Sequence, residues 1–139
     1  MKIKVKVAEA PYAGAGVRES WRLAVERNRI VDAVCFGLGE VGNDLPAMGF
    51  PSYDDSLPQR EQDQARAEAL LTEAGASGVA VELTVGPELP GMVETATLIV
   101  EDLRAIGVDA TLVELPQGQL FADHPAYQSL AFRAGFNPP

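Results

Sequence analysis

The amino-acid sequence predicts an α/β fold: a mixed sheet built around a right-handed strand, helix, strand unit at residues 79–115, with further helices flanking it. Three observations carry that expectation. Val79 to Val85 and Val108 to Leu115 both alternate apolar and polar side chains, the period of a half-buried strand. Between them Met92, Ala96, Ile99, Val100 and Leu103 share one helical face, and Gly107 supplies a stop. Two strands joined by a single helix lie parallel, and the crossover between them is right-handed.

The other elements follow in chain order. Lys2 to Ala8 also alternates, and its three lysines, the only ones in the chain, suit an exposed face or a guarded sheet edge. Pro11 to Gly16 reads as a loop. Val17, Trp21, Ala24 and Val25 then fall at helical spacing, and Ile30, Val31 and Val34 continue the stripe. Residues 17–35 are therefore one long helix or two short ones broken near Asn28, with Trp21 in the core. From Gly37 to Pro58 four glycines and three prolines leave little periodicity, which predicts a long irregular loop. Asp63 is a candidate cap for a helix whose Ala67, Leu70, Leu71 and Ala74 share a face, and Gly75 ends it. Beyond residue 117 the expectation is an irregular tail with a short helix within residues 127–134.

At 139 residues the chain suits one domain, and 47% apolar with 22% charged residues is a globular composition. A formal net charge of -9, with eight scattered arginines, sets the chain against nucleic acid. No apolar run approaches the roughly 18 to 20 residues of a membrane span, and the charged start lacks the apolar core of a signal peptide. The single cysteine, Cys35, excludes an intrachain disulfide and reads as a small buried apolar residue.

Motifs that would carry chemistry are weak. Gly37-Leu38-Gly39-Glu40-Val41-Gly42 has dinucleotide-loop spacing, but a helical stripe precedes it and Pro46 follows where the phosphate-binding helix should run. It reads better as a glycine turn ending a helix. His124 is the only histidine and lies between Asp123 and Pro125, a surface-loop context that gives a metal too few ligands. Asp54-Asp55 and Glu101-Asp102 read as solvated charge; adjacent helical residues point to different faces, so only the loop pair, Asp54-Asp55, could easily converge on one ligand. Neither a nucleophile elbow nor a phosphate-cradling loop occurs. No catalysis, cofactor or metal is expected.

The run from Val17 to Val31, "VRESWRLAVERNRIV", resembles a helix of the peptide/nickel-type substrate-binding proteins of ABC importers. Further segments match in the same order: Gly42 to Leu45, Leu57 to Asp63, "ARAEALLTEAG" from Ala65 to Gly75, Val81 to Val85, and "LRAIGVDATLVEL" from Leu103 to Leu115. The resemblance runs from about Val17 to Phe121. Ser20 and Glu26 depart from the pattern, and the lysine strand at Lys2 to Val7 reads as a substitute segment.

What the resemblance implies is part of one lobe of a periplasmic-binding-protein-like fold, placed outside the cytoplasm. Such a lobe binds a small solute or peptide, performs no chemistry and serves an ABC permease. The alternative is an isolated or engineered folding unit that binds no ligand and pairs with a second copy of itself as a homodimer. In the family such a lobe meets its solute with irregular segments, which here means residues 37–58. Asn43, Asp44, Leu45, Met48 and Tyr53 supply the mixture of polar groups and apolar walls that a small-solute pocket uses. Asp44 is the expected partner of a cationic solute group.

Overall fold

The computed structural model describes residues 2–44, 49–51 and 53–135. Nine elements occur among them: β1 (Lys2–Val5), α1 (Ala15–Ala24), α2 (Arg27–Cys35), α3 (Gln64–Glu73), β2 (Ala80–Val85), α4 (Met92–Ala105), β3 (Asp109–Glu114), α5 (His124–Ser129) and β4 (Phe132–Gly135).

β2 and β3 run parallel in continuous register from Ala80↔Asp109 to Val85↔Glu114, with α4 as their connection. The four-stranded sheet has the order β1-β4-β2-β3. β1 pairs antiparallel to β4, so the sheet is mixed, and β4 meets β2 in parallel at Thr84↔Arg133. Val81, Leu83 and Val85 turn one face of β2 inward, where they join Ala96, Ile99, Val100 and Leu103 of α4 in one buried cluster. Gly107 ends the α4 turn at φ 87°, a conformation open to glycine at little cost.

The stripe at residues 17–35 divides into two helices. The break falls at Val25 and Glu26, slightly ahead of Asn28, and the Glu26 carboxylate caps α2 by accepting from the Asn28 N–H at 3.1 Å. Ser20 is fully buried and donates to the Ala67 carbonyl at 2.7 Å, which ties α1 to α3. Asp63 caps α3 as expected, accepting from Arg66 N–H at 2.9 Å. Trp21 is 7% exposed and stacks with Tyr12 and Phe132.

Three expectations are corrected. The tail is not irregular: α5 starts three residues ahead of the expected helix and overlaps it through Ser129, and residues 132–135 form β4, which lies inside the sheet between β1 and β2. All four β4 residues are buried, so the segment lacks the alternation that marks a half-buried strand. Cys35 is exposed, because α2 buries none of its residues. Asp102 is not solvated: α2 lies across it, and it retains 4% exposure.

Candidate functional site

The long segment between α2 and α3 starts where Phe36 ends α2 in the left-handed region at φ 52°. Gly37 follows at φ 73°. The glycine motif thus succeeds a helix and not a strand, and among the described residues the next helix is α3, which starts at Gln64, so they do not form the strand–loop–helix setting of a dinucleotide site.

Asn43 and Asp44 are consecutive non-glycine residues at positive φ, 48° and 61°, a conformation that short polar side chains tolerate best. Both side chains are committed to the frame of the loop. The Asn43 Oδ1 accepts from the Arg60 N–H at 2.8 Å, and its Nδ2 donates to the carbonyls of Pro58 at 3.0 Å and Leu57 at 3.4 Å. The two limbs of the segment are thereby pinned together. The Asp44 carboxylate receives Arg27 Nη2 at 2.9 Å on both oxygens, and Arg60 Nε lies 3.1 Å from its Oδ2 without hydrogen-bond alignment. Arg60 also pairs with Glu19 of α1. Arg22 pairs with Glu19 as well, at 3.5 Å, so two carboxylates and three guanidiniums are linked at the base of the loop. Asp44, expected to meet a cation of the solute, meets two of the chain's own.

Tyr53 is half-buried, its N–H donates to the Phe50 carbonyl at 2.9 Å, and its hydroxyl reaches the Gly42 carbonyl at 3.5 Å. Asn43, Asp44 and Tyr53 therefore belong to one folded unit. Leu45 and Met48 lie outside the described residues. Phe36, Leu38 and Phe50 of this segment stand 87%, 90% and 63% exposed. Asp54 is held in a tight turn by Ser56, whose hydroxyl and N–H both donate to it, and these bonds lower its pKa.

One residue escaped the sequence reasoning. Arg133 of β4 is 8% exposed, yet no carboxylate lies within ion-pair distance of it among the described residues. It donates to the Leu130 carbonyl at 2.5 Å and to Gln128 Oε1 at 3.1 Å, and its guanidinium lies 4.9 Å from the centre of the Tyr127 ring. Its Nε has no acceptor among the described residues. A buried cation with only neutral partners favours an incoming anion, because its own desolvation is not offset by a charge. Nothing in the tail's pattern signals this, since the strand that holds it is four residues long.

No group of three or more His, Cys, Asp or Glu side chains able to hold a metal ion occurs among the described residues. His124 begins α5, exposed, with Gln128 as its neighbour at 3.2 Å. No helix among the described residues is long and apolar enough to cross a membrane.

Comparison with known proteins gives a consistent result. The profile described as "Bacterial extracellular solute-binding proteins, family 5 Middle" matches residues 1–138. That range takes in the lysine strand and the tail. The chain is 31% identical over 123 residues to "Di/tripeptide-binding protein 3" of Pseudomonas aeruginosa, a match covering 84% of this chain and 23% of that protein. It is 25% identical over 134 residues to the "Nickel-binding periplasmic protein" of Escherichia coli, covering 86% of this chain and 25% of that one. Among solved structures, HbpA2 from Haemophilus parasuis superposes with a TM-score of 0.78 at 31% identity, covering 94% of this chain and 27% of that one. The chain thus spans about a quarter of the length of the curated relatives it matches.

Proposed function

The chain belongs to the bacterial extracellular solute-binding proteins of family 5, and from that premise we propose that it forms part of one lobe of an importer's binding protein. Its work is recognition of a peptide-like solute, without catalysis. The observation that carries this reading is the family match across residues 1–138. Delivery to an ABC permease from outside the cytoplasm follows as part of the same proposal.

Two features support a peptide-like solute. Arg133 offers a desolvated cation to a carboxylate. The segment from Val41 to Pro58 offers a wall whose polar residues, Asn43 and Asp44, are already locked by Arg27 and Arg60 and so present a preorganised surface. In this reading Asp44 acts mainly as a brace, while Tyr53, Leu45 and Met48 supply contact.

The test is a two-dimensional amide NMR titration with a set of di- and tripeptides. Saturable shifts in residues 41–55 and around Arg133 are expected, and Arg133→Gln should weaken binding more for a free carboxylate terminus than for an amidated one. Shifts confined to the helices, with none in residues 41–55, would refute the assignment of the loop.

A further inference from the structure

Lys4 and Arg133 stand directly opposite each other across the antiparallel pair of β1 and β4. Residues so placed share a face of the sheet with Cβ atoms roughly 5 Å apart, and like charges there repel. Both cations are held against one ring: Arg133 Cζ lies 4.9 Å from the centre of Tyr127, and Lys4 Nζ lies 5.8 Å from it. The ring is itself fixed. Its hydroxyl donates to the Ala134 carbonyl at 3.1 Å. A Cβ at Gly135 would collide with that hydroxyl and come within 3.5 Å of Lys4 Nζ, so the lack of a side chain at residue 135 is what seats ring and ammonium together on β4.

No acid answers this pair among the described residues. Arg133 is 8% exposed, its partners are the neutral Leu130 carbonyl and Gln128 amide, and its buried Nε has no acceptor among the described residues. Lys4 is half-buried and makes neither a hydrogen bond nor an ion pair among them. Lys6, two residues on, is taken by Glu9 at 3.0 Å. Glu82, two residues before Thr84 and so on the face of Arg133, pairs with neither cation. The ring offsets part of the repulsion, and an anion would offset far more. A buried guanidinium donor left open, directly opposite a second free cation, is a site short of negative charge.

We propose that Lys4 and Arg133 together select a solute whose acidic end carries two carboxylates, as in a peptide that ends in Asp or Glu. This rests on the reading of Arg133 as the seat of the solute's carboxylate, and adds Lys4 as the residue that recognises the second. The planar guanidinium of Arg133 suits the terminal carboxylate, and the flexible stem of Lys4 lets its ammonium follow the side-chain one.

The experiment is an amide NMR titration of the whole chain with the peptides Ala-Ala-Glu and Ala-Ala-Gln, and with glutarate, butyrate and inorganic phosphate as peptide-free probes. Glutarate carries the two carboxylates of a terminal glutamate at the same spacing, and butyrate lacks one of them. Saturable shifts at Lys4, Tyr127 and Arg133 are expected. The Glu peptide should bind about tenfold tighter than the Gln peptide, and glutarate about tenfold tighter than butyrate, the scale of one charge-assisted hydrogen bond. Lys4→Met, which keeps an apolar stem against the ring, should remove both preferences, and the preferences of the unaltered chain are read without any variant. Equal affinity for the two peptides would overturn the proposal and leave the peptide reading standing. A Lys4-dependent preference for glutarate, with neither peptide bound, would support the proposal and sink the peptide reading. Tighter binding of phosphate than of glutarate, or no saturable shift at Lys4 and Arg133 with any probe, would overturn it.

Discussion

Arg29 Nη2 lies 2.8 Å from Asp102 Oδ1, and the two side chains differ sharply in exposure, 41% against 6%. α2 is thereby clasped to α4 by one buried carboxylate and one guanidinium that reaches in from solvent. The second oxygen of Asp102 accepts the Glu26 N–H at 2.9 Å, so the same carboxylate also secures the turn between α1 and α2. Asp102→Ala should cost about 1–3 kcal/mol in chemical denaturation, because it strands a backbone donor as well as a cation.

The pH response of that carboxylate has a defined sign. Burial is the largest influence and raises its pKa above the ordinary 3.8, against the lowering effects of the Glu26 N–H and Arg29. The native chain therefore keeps this proton at pH values where the unfolded chain has lost it. The group's contribution to stability is complete below pH 3.8 and is lost as pH rises through the raised value. Asp102→Asn should flatten that part of the stability profile, measured by urea midpoints across the acid range. An unchanged slope would show that the carboxylate titrates normally.

Tyr12 should act in the alkaline range. Burial, then the charges of Glu9 and Glu82, raise its phenol pKa above 10.0. Stability from this group is complete below pH 10.0 and declines as pH rises past it, since the unfolded chain gives up the proton first. Ultraviolet titration of the native chain should show a late phenol transition that Tyr12→Phe removes.

Gly91 precedes α4 at φ 81°, and a Cβ built there would lie 2.2 Å from Val34 Cγ1 of α2. Gly91→Ala meets both a backbone penalty of about 1 kcal/mol and a steric conflict. Adding Val34→Ala should recover part of the loss, and a double-mutant cycle with no coupling would mean that α2 simply moves aside.

Trp21→Ala should cost roughly 3–5 kcal/mol, the usual loss for a large aromatic removed from a core. A loss within about 0.5 kcal/mol would place the ring outside the load of the fold.

The strand, helix, strand unit was legible because each part is long enough to repeat its period and its helix ends on Gly107 at φ 87°. β4 was not, for a physical reason: Phe132 to Gly135 is covered on both faces, so burial leaves no alternation, and its charged residue is buried in the middle. The location of the candidate loop was legible from its glycines and prolines. The fate of Asp44 was not, because its partners come from the start of α2 and from the far limb of the loop, and only the folded chain brings Arg27 and Arg60 together. Local sequence likewise gives Asp102 the look of an exposed helix position. It is α2, arriving from the other side, that buries it.

The pairing of β1 with β4 joins the first described strand to the last. During synthesis β1 must wait for residues 132–135 before these hydrogen bonds can form, while β2, α4 and β3 have neighbours close at hand. Closing so long a loop is entropically costly and slow, so the strand, helix, strand unit should gain protection from hydrogen exchange first and β1 last. Until β4 inserts, one edge of β2 is bare, and a bare edge pairs readily with other chains. The alternating lysines of β1, one of which rests near the Tyr127 ring in the finished sheet, keep the waiting strand charged and in solution meanwhile.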